Sequence, residues 1–128
     1  MDDGAHLRVL ADGHVIADKI IYCCKSASRR EGLLSLNHLE QGEGILLEMP
    51  RARQGKKGFI TSIHMVGMGF PISVAWLDHE GRVVHSTLAK PWGLYYGSPQ
   101  PAWYVLEAHP VLLDSLSVGT KLSWELRT

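Results

Sequence analysis

The side chains best suited to contact a ligand are aromatic and cluster late in the chain. Trp92, Tyr95, Tyr96 and Trp103 share one stretch with Pro91, Pro99 and Pro101. Flat rings with polar tips stack on sugars and grip extended peptides, and the same rings also complete the open ends of small cores. Upstream, His64 to Phe70 combines one imidazole, Met65 and Met68, and glycines at 67 and 69. Methionine adapts to irregular apolar shapes, and glycine admits close approach of backbone or ligand. The candidate ligand-binding set is therefore His64, Met68, Trp92, Tyr95, Tyr96 and Trp103.

Other chemistries find less support. The chain has 7 histidines but no His-x-His or His-x-x-x-His pair, so no metal site and no cofactor is expected. Gly-x-Ser-x-Gly is absent. Cys23 and Cys24 are adjacent in an apolar run, where side chains point to opposite sides and cannot pair easily. Both are expected to be free thiols, away from any helix N-terminus that would activate them. Glycoside chemistry would need two inward carboxylates; Glu107 is one candidate, while Asp78 suits a turn. The glycine pairs at 42/44 and 67/69 lack the spacing and the lysine of a phosphate loop. Catalytic residues therefore stay unassigned.

Composition narrows the partners. Lys plus Arg and Asp plus Glu number 13 each, so no long-range field draws a phosphate backbone or an anionic bilayer. Arg51, Arg53, Lys56 and Lys57 form a basic loop without interleaved aromatics, which reads as a solvated loop. No apolar run approaches the ~18 residues of a membrane span. Met1-Asp2-Asp3-Gly4 is acidic and unlike a secretory signal, so a cytoplasmic location is expected, with export open where a leader has been removed. At 128 residues with 45% apolar content, residues 1–128 are expected to form one domain, a monomer or weak homodimer.

The elements that must position these side chains are short strands. Asp12-Gly13 is a hairpin turn between an apolar segment, 6–10, and a β-branched run, 14–24. Ser28 and Glu31 fit a capping box opening a short helix, with Leu33, Leu34 and Leu36 following and Gly32 as its weak point. Strands are expected at Ile45–Leu47 and Phe59–Met65. The alternation Ile72, Val74, Trp76 leads into a turn, with Asp78 accepting at its first position and Gly81 at positive φ. Val83 and Val84 then open the return strand. Trp103–Ala108 is another strand, Pro110 opens a second short helix through Leu116, and Leu122, Trp124 and Leu126 mark a half-buried last strand. About eight short strands and two short helices predict an all-β sandwich or closed barrel.

Several blocks resemble the family called domain of unknown function 192, small bacterial and archaeal β proteins. Ala27-Ser-Arg-Arg-Glu-Gly-Leu-Leu34 is similar to its Arg-x-x-Gly-Leu block, and Gly42-Glu-Gly-Ile-Leu-Leu47 to its Gly-Glu-Gly-Leu-Leu segment. Ser62 to Asp78 resembles its central signature, built on Phe70-Pro71-Ile72. Lys90-Pro-Trp92 and Tyr104-Val-Leu-Glu107 fall where the family has Pro-Trp and Val-Leu-Glu. The resemblance implies a compact β protein and no activity. Three positions depart from it: Ser73 replaces the usual Asp, Gly69 a polar residue, and Gly93 an Arg. A polar site built from those family residues would be weakened here.

The reading is a non-enzymatic binding or interaction module for a small ligand, glycan or peptide at the aromatic loop; the alternative is a small hydrolase-like enzyme. The loops at 64–70 and 92–103 lie on either side of one hairpin. They should therefore adjoin, forming a shallow concavity lined by His64, Met68, Trp92, Tyr95 and Tyr96.

Overall fold

The computed structural model describes residues 1–50 and 62–127. Seven strands form one sheet: β1 (His6–Ala11), β2 (His14–Cys23), β3 (Glu43–Glu48), β4 (Ile72–Leu77), β5 (Val83–Ala89), β6 (Tyr104–Ala108) and β7 (Leu122–Leu126). Their spatial order is β5-β4-β6-β3-β2-β1-β7. A short helix, α1 (Ser26–Glu31), lies in the β2–β3 connection, and a 3-10 helix (Pro110–Ser115) follows β6. β2 and β3 run parallel, which a tight turn cannot join; the connection carrying α1 makes the crossover.

The all-β class holds. The strands form a single curled sheet rather than two packed sheets, and it does not close into a barrel. Its edges meet only at one corner, where Arg82 bridges Lys121 and the Val83 amide donates to the Thr120 carbonyl. An eighth strand was expected over Phe59–Met65. Residues 59–61, like the basic loop of Arg51, Arg53, Lys56 and Lys57, lie outside the described residues, and the remainder makes one isolated bridge, Ile63 to Tyr96.

Period-two alternation sorts the core onto two faces. On the inner face every strand contributes, from Leu7 and Ile20 through Leu46, Ala75, Val83 and Leu106 to Leu122, with Leu112 and Leu116 from the 3-10 segment. The outer face carries Ile45, Leu47, Val74, Trp76 and Val105, covered by Leu33, Leu39, Met49, Met65 and Met68 from the connections. The outer cover is thus made of loops rather than a second sheet.

Both hairpin turns follow the expected chemistry. Asp12 and Gly13 take φ of 48° and 87°, the two positive values of a type I′ turn. Asp78 Oδ1 accepts from the Glu80 and Arg82 amides at 2.9 Å, and Gly81 takes φ +88°. The helix differs from expectation. It begins at Ser26, so Ser28 lies inside it rather than at its cap. Asp3 supplies the acceptor instead: Oδ1 receives the Ser28 hydroxyl (2.6 Å) and the amides of Cys24 (2.8 Å) and Lys25 (3.2 Å). The Ser28 and Cys24 bonds hold its carboxyl below the usual range. Gly32, at φ +49°, ends the helix, and Leu33, Leu34 and Leu36 fall beyond it.

Candidate functional site

A cavity of about 430 Å³ lies between the outer face of the sheet and its loop cover. β6 supplies Val105 and Glu107, β3 supplies Leu47, and the cover supplies Leu33, Met65 and Met68. Glu107 sits at the centre of the sheet, paired with Ile45 on β3 and Val74 on β4, both buried. Its backbone is clamped there because Gly44 of β3 offers no Cβ. A Cβ at 44 would press on the Glu107 carbonyl oxygen and fall within 2.9 Å of the Ala108 Cα.

The Glu107 carboxyl makes no hydrogen bond or ion pair among the described residues, and desolvation alone pushes its pKa up to about 7. Every fully covered side-chain nitrogen or oxygen among these residues has a partner, so the unpartnered carboxyl oxygens must reach open space. That space is the cavity, of which Glu107 forms part of the wall. Arg29, Arg30, Glu31 and His64 bring the remaining charged or titratable groups to its border. A second cavity, about 510 Å³, shares Arg29, Met49 and Pro50 with the first and adds Cys24, Glu48, Trp103 and Tyr104. Glu48 there accepts the Tyr22 hydroxyl at 2.7 Å.

The two loops expected to adjoin do so. Ile63 and Tyr96 exchange both backbone bonds, Met65 donates to Gly93, and Trp92 donates to Met65. His64 and Met68 line the first cavity. Trp92, Tyr95 and Tyr96 do not; Trp92 (62% exposed) and Tyr95 (52% exposed) stand out on the neighbouring loop. Trp92 holds φ +62°, a conformation costly for a side chain of its size. Tyr96 is half-buried, its hydroxyl accepting from the Lys90 amide. Trp103 lines the second cavity and lies 5.3 Å, centroid to centroid, from the His79 ring. The rings thus divide between an exposed shelf and the second cavity, and none of them lines the first.

Arg29, Arg30, Leu33 and Leu47 escaped the residue-by-residue reading. A signal was present: the Arg-x-x-Gly-Leu block, the Gly-Glu-Gly segment, the central signature and the Val-Leu-Glu block all contribute to this one cavity. Ser73, where the family pattern has Asp, lies outside it. It is buried on the inner face and donates to the carbonyl oxygens of Ala108 and His109, at 3.2 and 2.9 Å. No group of three or more His, Cys, Asp or Glu able to hold a metal occurs among the described residues. None of their helices is long and apolar enough to cross a membrane.

Comparison with known proteins agrees with this architecture. A UPF0127 protein of Thermococcus kodakarensis is 41% identical over 66 residues, covering 50% of this chain and 41% of that protein. A UPF0127 protein of Pyrococcus furiosus is 35% identical over 66 residues, covering 50% of this chain and 56% of that one. The matched segment thus spans about half the length of these curated relatives. Two crystal structures share the fold. One is a protein of unknown function from Novosphingobium aromaticivorans, with TM-score 0.74, 19% identity, and coverage of 93% of this chain and 84% of that one. The other, from Sinorhizobium meliloti and provisionally described as a transcription regulator, has TM-score 0.79, 18% identity and 97% coverage of both chains. The model of one family, DUF192, described as "Uncharacterized ACR", matches residues 8–124, so that the cavity blocks and all but the outer ends of β1 and β7 fall within it and the chain belongs to that family.

Proposed function

We propose that the first cavity binds a small amphipathic ligand that presents an ammonium or other hydrogen-bond donor to Glu107. The observation that carries this reading is the unpartnered carboxyl beside Leu47, Met65, Met68 and Val105 in a wall of mixed polarity. Burying such a group without a partner costs free energy, and a donor on the ligand supplies the missing bond. About 430 Å³ falls within the size range of small-molecule sites, which pair apolar walls with a few polar groups. Ligand portions extending past His64 and Met68 would meet Trp92 and Tyr95 on the adjoining loop. A peptide or glycan bearing an amine could use both parts.

The hydrolase-like alternative draws on the same carboxyl, since a pKa near neutrality suits a general acid or base. Binding is favoured because no serine, histidine or second carboxylate among the described residues is hydrogen-bonded to Glu107. Thermal unfolding with hexylamine tests the reading. The amine should raise the melting temperature of the native protein and leave that of Glu107→Gln unmoved. An equal rise in both, or none in either, would refute it.

A further inference from the structure

The chemistry of Glu107 leaves the basic border of the cavity unexplained. Arg29 and Arg30 both stand there, on the last turn of α1. Arg29 is half-buried and pinned: its Nη1 donates to the carbonyl oxygens of Cys24 and of Glu48, the latter at 3.1 Å. A guanidinium carries five donors, so this anchoring leaves others free to point outward. Arg30 is exposed, and its Nη2 donates to the Ser26 hydroxyl at 3.2 Å.

The ion pairs among the described residues are Arg8–Glu125, His38–Glu40 and His79–Glu80; neither arginine of the border belongs to one. Two carboxylates lie near. Glu31 is exposed on the same border, and Glu48 is engaged by Tyr22 in the second cavity. The first cavity is therefore polarised. One wall holds an unpartnered acid, the border holds two arginines without a carboxylate partner, and Leu33, Leu47, Met65, Met68 and Val105 lie among them.

We infer that the ligand carries both charges: an ammonium for Glu107 and a carboxylate for Arg29 and Arg30, joined by an apolar body. This rests on the binding role proposed for Glu107 and adds the second anchor. Guanidinium–carboxylate bonds are charge-assisted and can be bidentate, so the second anchor should strengthen binding rather than only orient the ligand.

Calorimetric titration of the full chain separates the two anchors. The probes are butylamine, hexylamine and octylamine, the amino acids of the same lengths bearing a terminal carboxylate, and hexanoate. At one length the amino acid should bind about tenfold or more tightly than its amine. Arg30→Gln should remove most of that gain and leave amine affinity unchanged. Arg29→Lys, which keeps the charge but loses the fork, provides a second variant with the fold checked by circular dichroism.

Equal binding of amine and amino acid at every length overturns the second anchor and leaves the Glu107 reading standing. A gain that survives both arginine variants also overturns it. If hexanoate binds and no amine does, or if nothing binds, the Glu107 reading falls and this inference falls with it.

Discussion

Glu107 and the cysteine pair show how neighbours set the chemistry of a side chain. Desolvation raises the Glu107 pKa from an ordinary 4.5 to about 7, so the folded state holds its proton more tightly than the unfolded chain does. Stability linked to this group is intact below about pH 4.5 and falls as pH rises toward 7, where the native carboxyl must ionise in apolar surroundings. The loss should reach at most about 3 kcal/mol by pH 8. Urea unfolding at pH 5 and pH 8 measures it: Glu107→Gln should flatten that part of the profile. A wild-type profile no steeper than the mutant's would contradict the placement of Glu107. Cys23 and Cys24 face opposite sides of β2's end. Cys23 is buried against the outer cluster, with burial pushing its thiol up to about 11, whereas Cys24 borders the second cavity. Thiol titration of the native protein should therefore resolve a faster Cys24 and a slower Cys23. Two equal rates would count against it.

Among the elements, the β3–β6 pair matters most for the site. Gly44 lies opposite Ala108, one residue from Glu107, and the two backbones are too close there for any side chain. Gly44→Ala should cost about 3 kcal/mol or more, because backbone rather than a movable side chain must give way. It should also disturb ligand response at Glu107. Denaturant midpoints check the first outcome and the hexylamine shift the second; an alanine tolerated without loss would mean that the strands can separate locally. The helix teaches a related lesson. Its Ser28 and Glu31 satisfy the local capping pattern, yet Asp3, 25 residues away from Ser28, is the acceptor that holds the first turn. A pattern read over four residues cannot foresee an acceptor delivered by the N-terminal segment ahead of β1.

In the whole molecule, one sheet separates the two core clusters and contributes to both. β2, β3, β4, β5 and β6 each place residues in the two of them, so neither face can melt without exposing the other's supports. Unfolding should be a single transition. Far-UV circular dichroism, which follows the strands, should coincide with tryptophan fluorescence, dominated by change at Trp76, fully buried on the outer face. Separated midpoints would show that the loop cover melts before the sheet.

The sequence by itself determined the all-β class, the two hairpin turns and the free cysteines, because each depends on residues close together in the chain. Asp12-Gly13 and Asp78 to Gly81 specify their turns through positive φ and a short side-chain acceptor. Adjacent residues of a strand must face opposite ways. Glu107 was legible as a candidate acid, and His64 and Met68 as contacts in one concavity with Trp92, Tyr95 and Tyr96, but not as parts of one cavity with Glu107. That cavity joins α1, β3, β6 and the connection before β4, which are brought together by a parallel crossover and a non-sequential strand order. Only the tertiary structure could bring Arg29 and Arg30 to the same cavity as Glu107, more than 70 residues away in the chain. It alone could leave the carboxyl without a partner, since burial and pairing depend on which strands become neighbours.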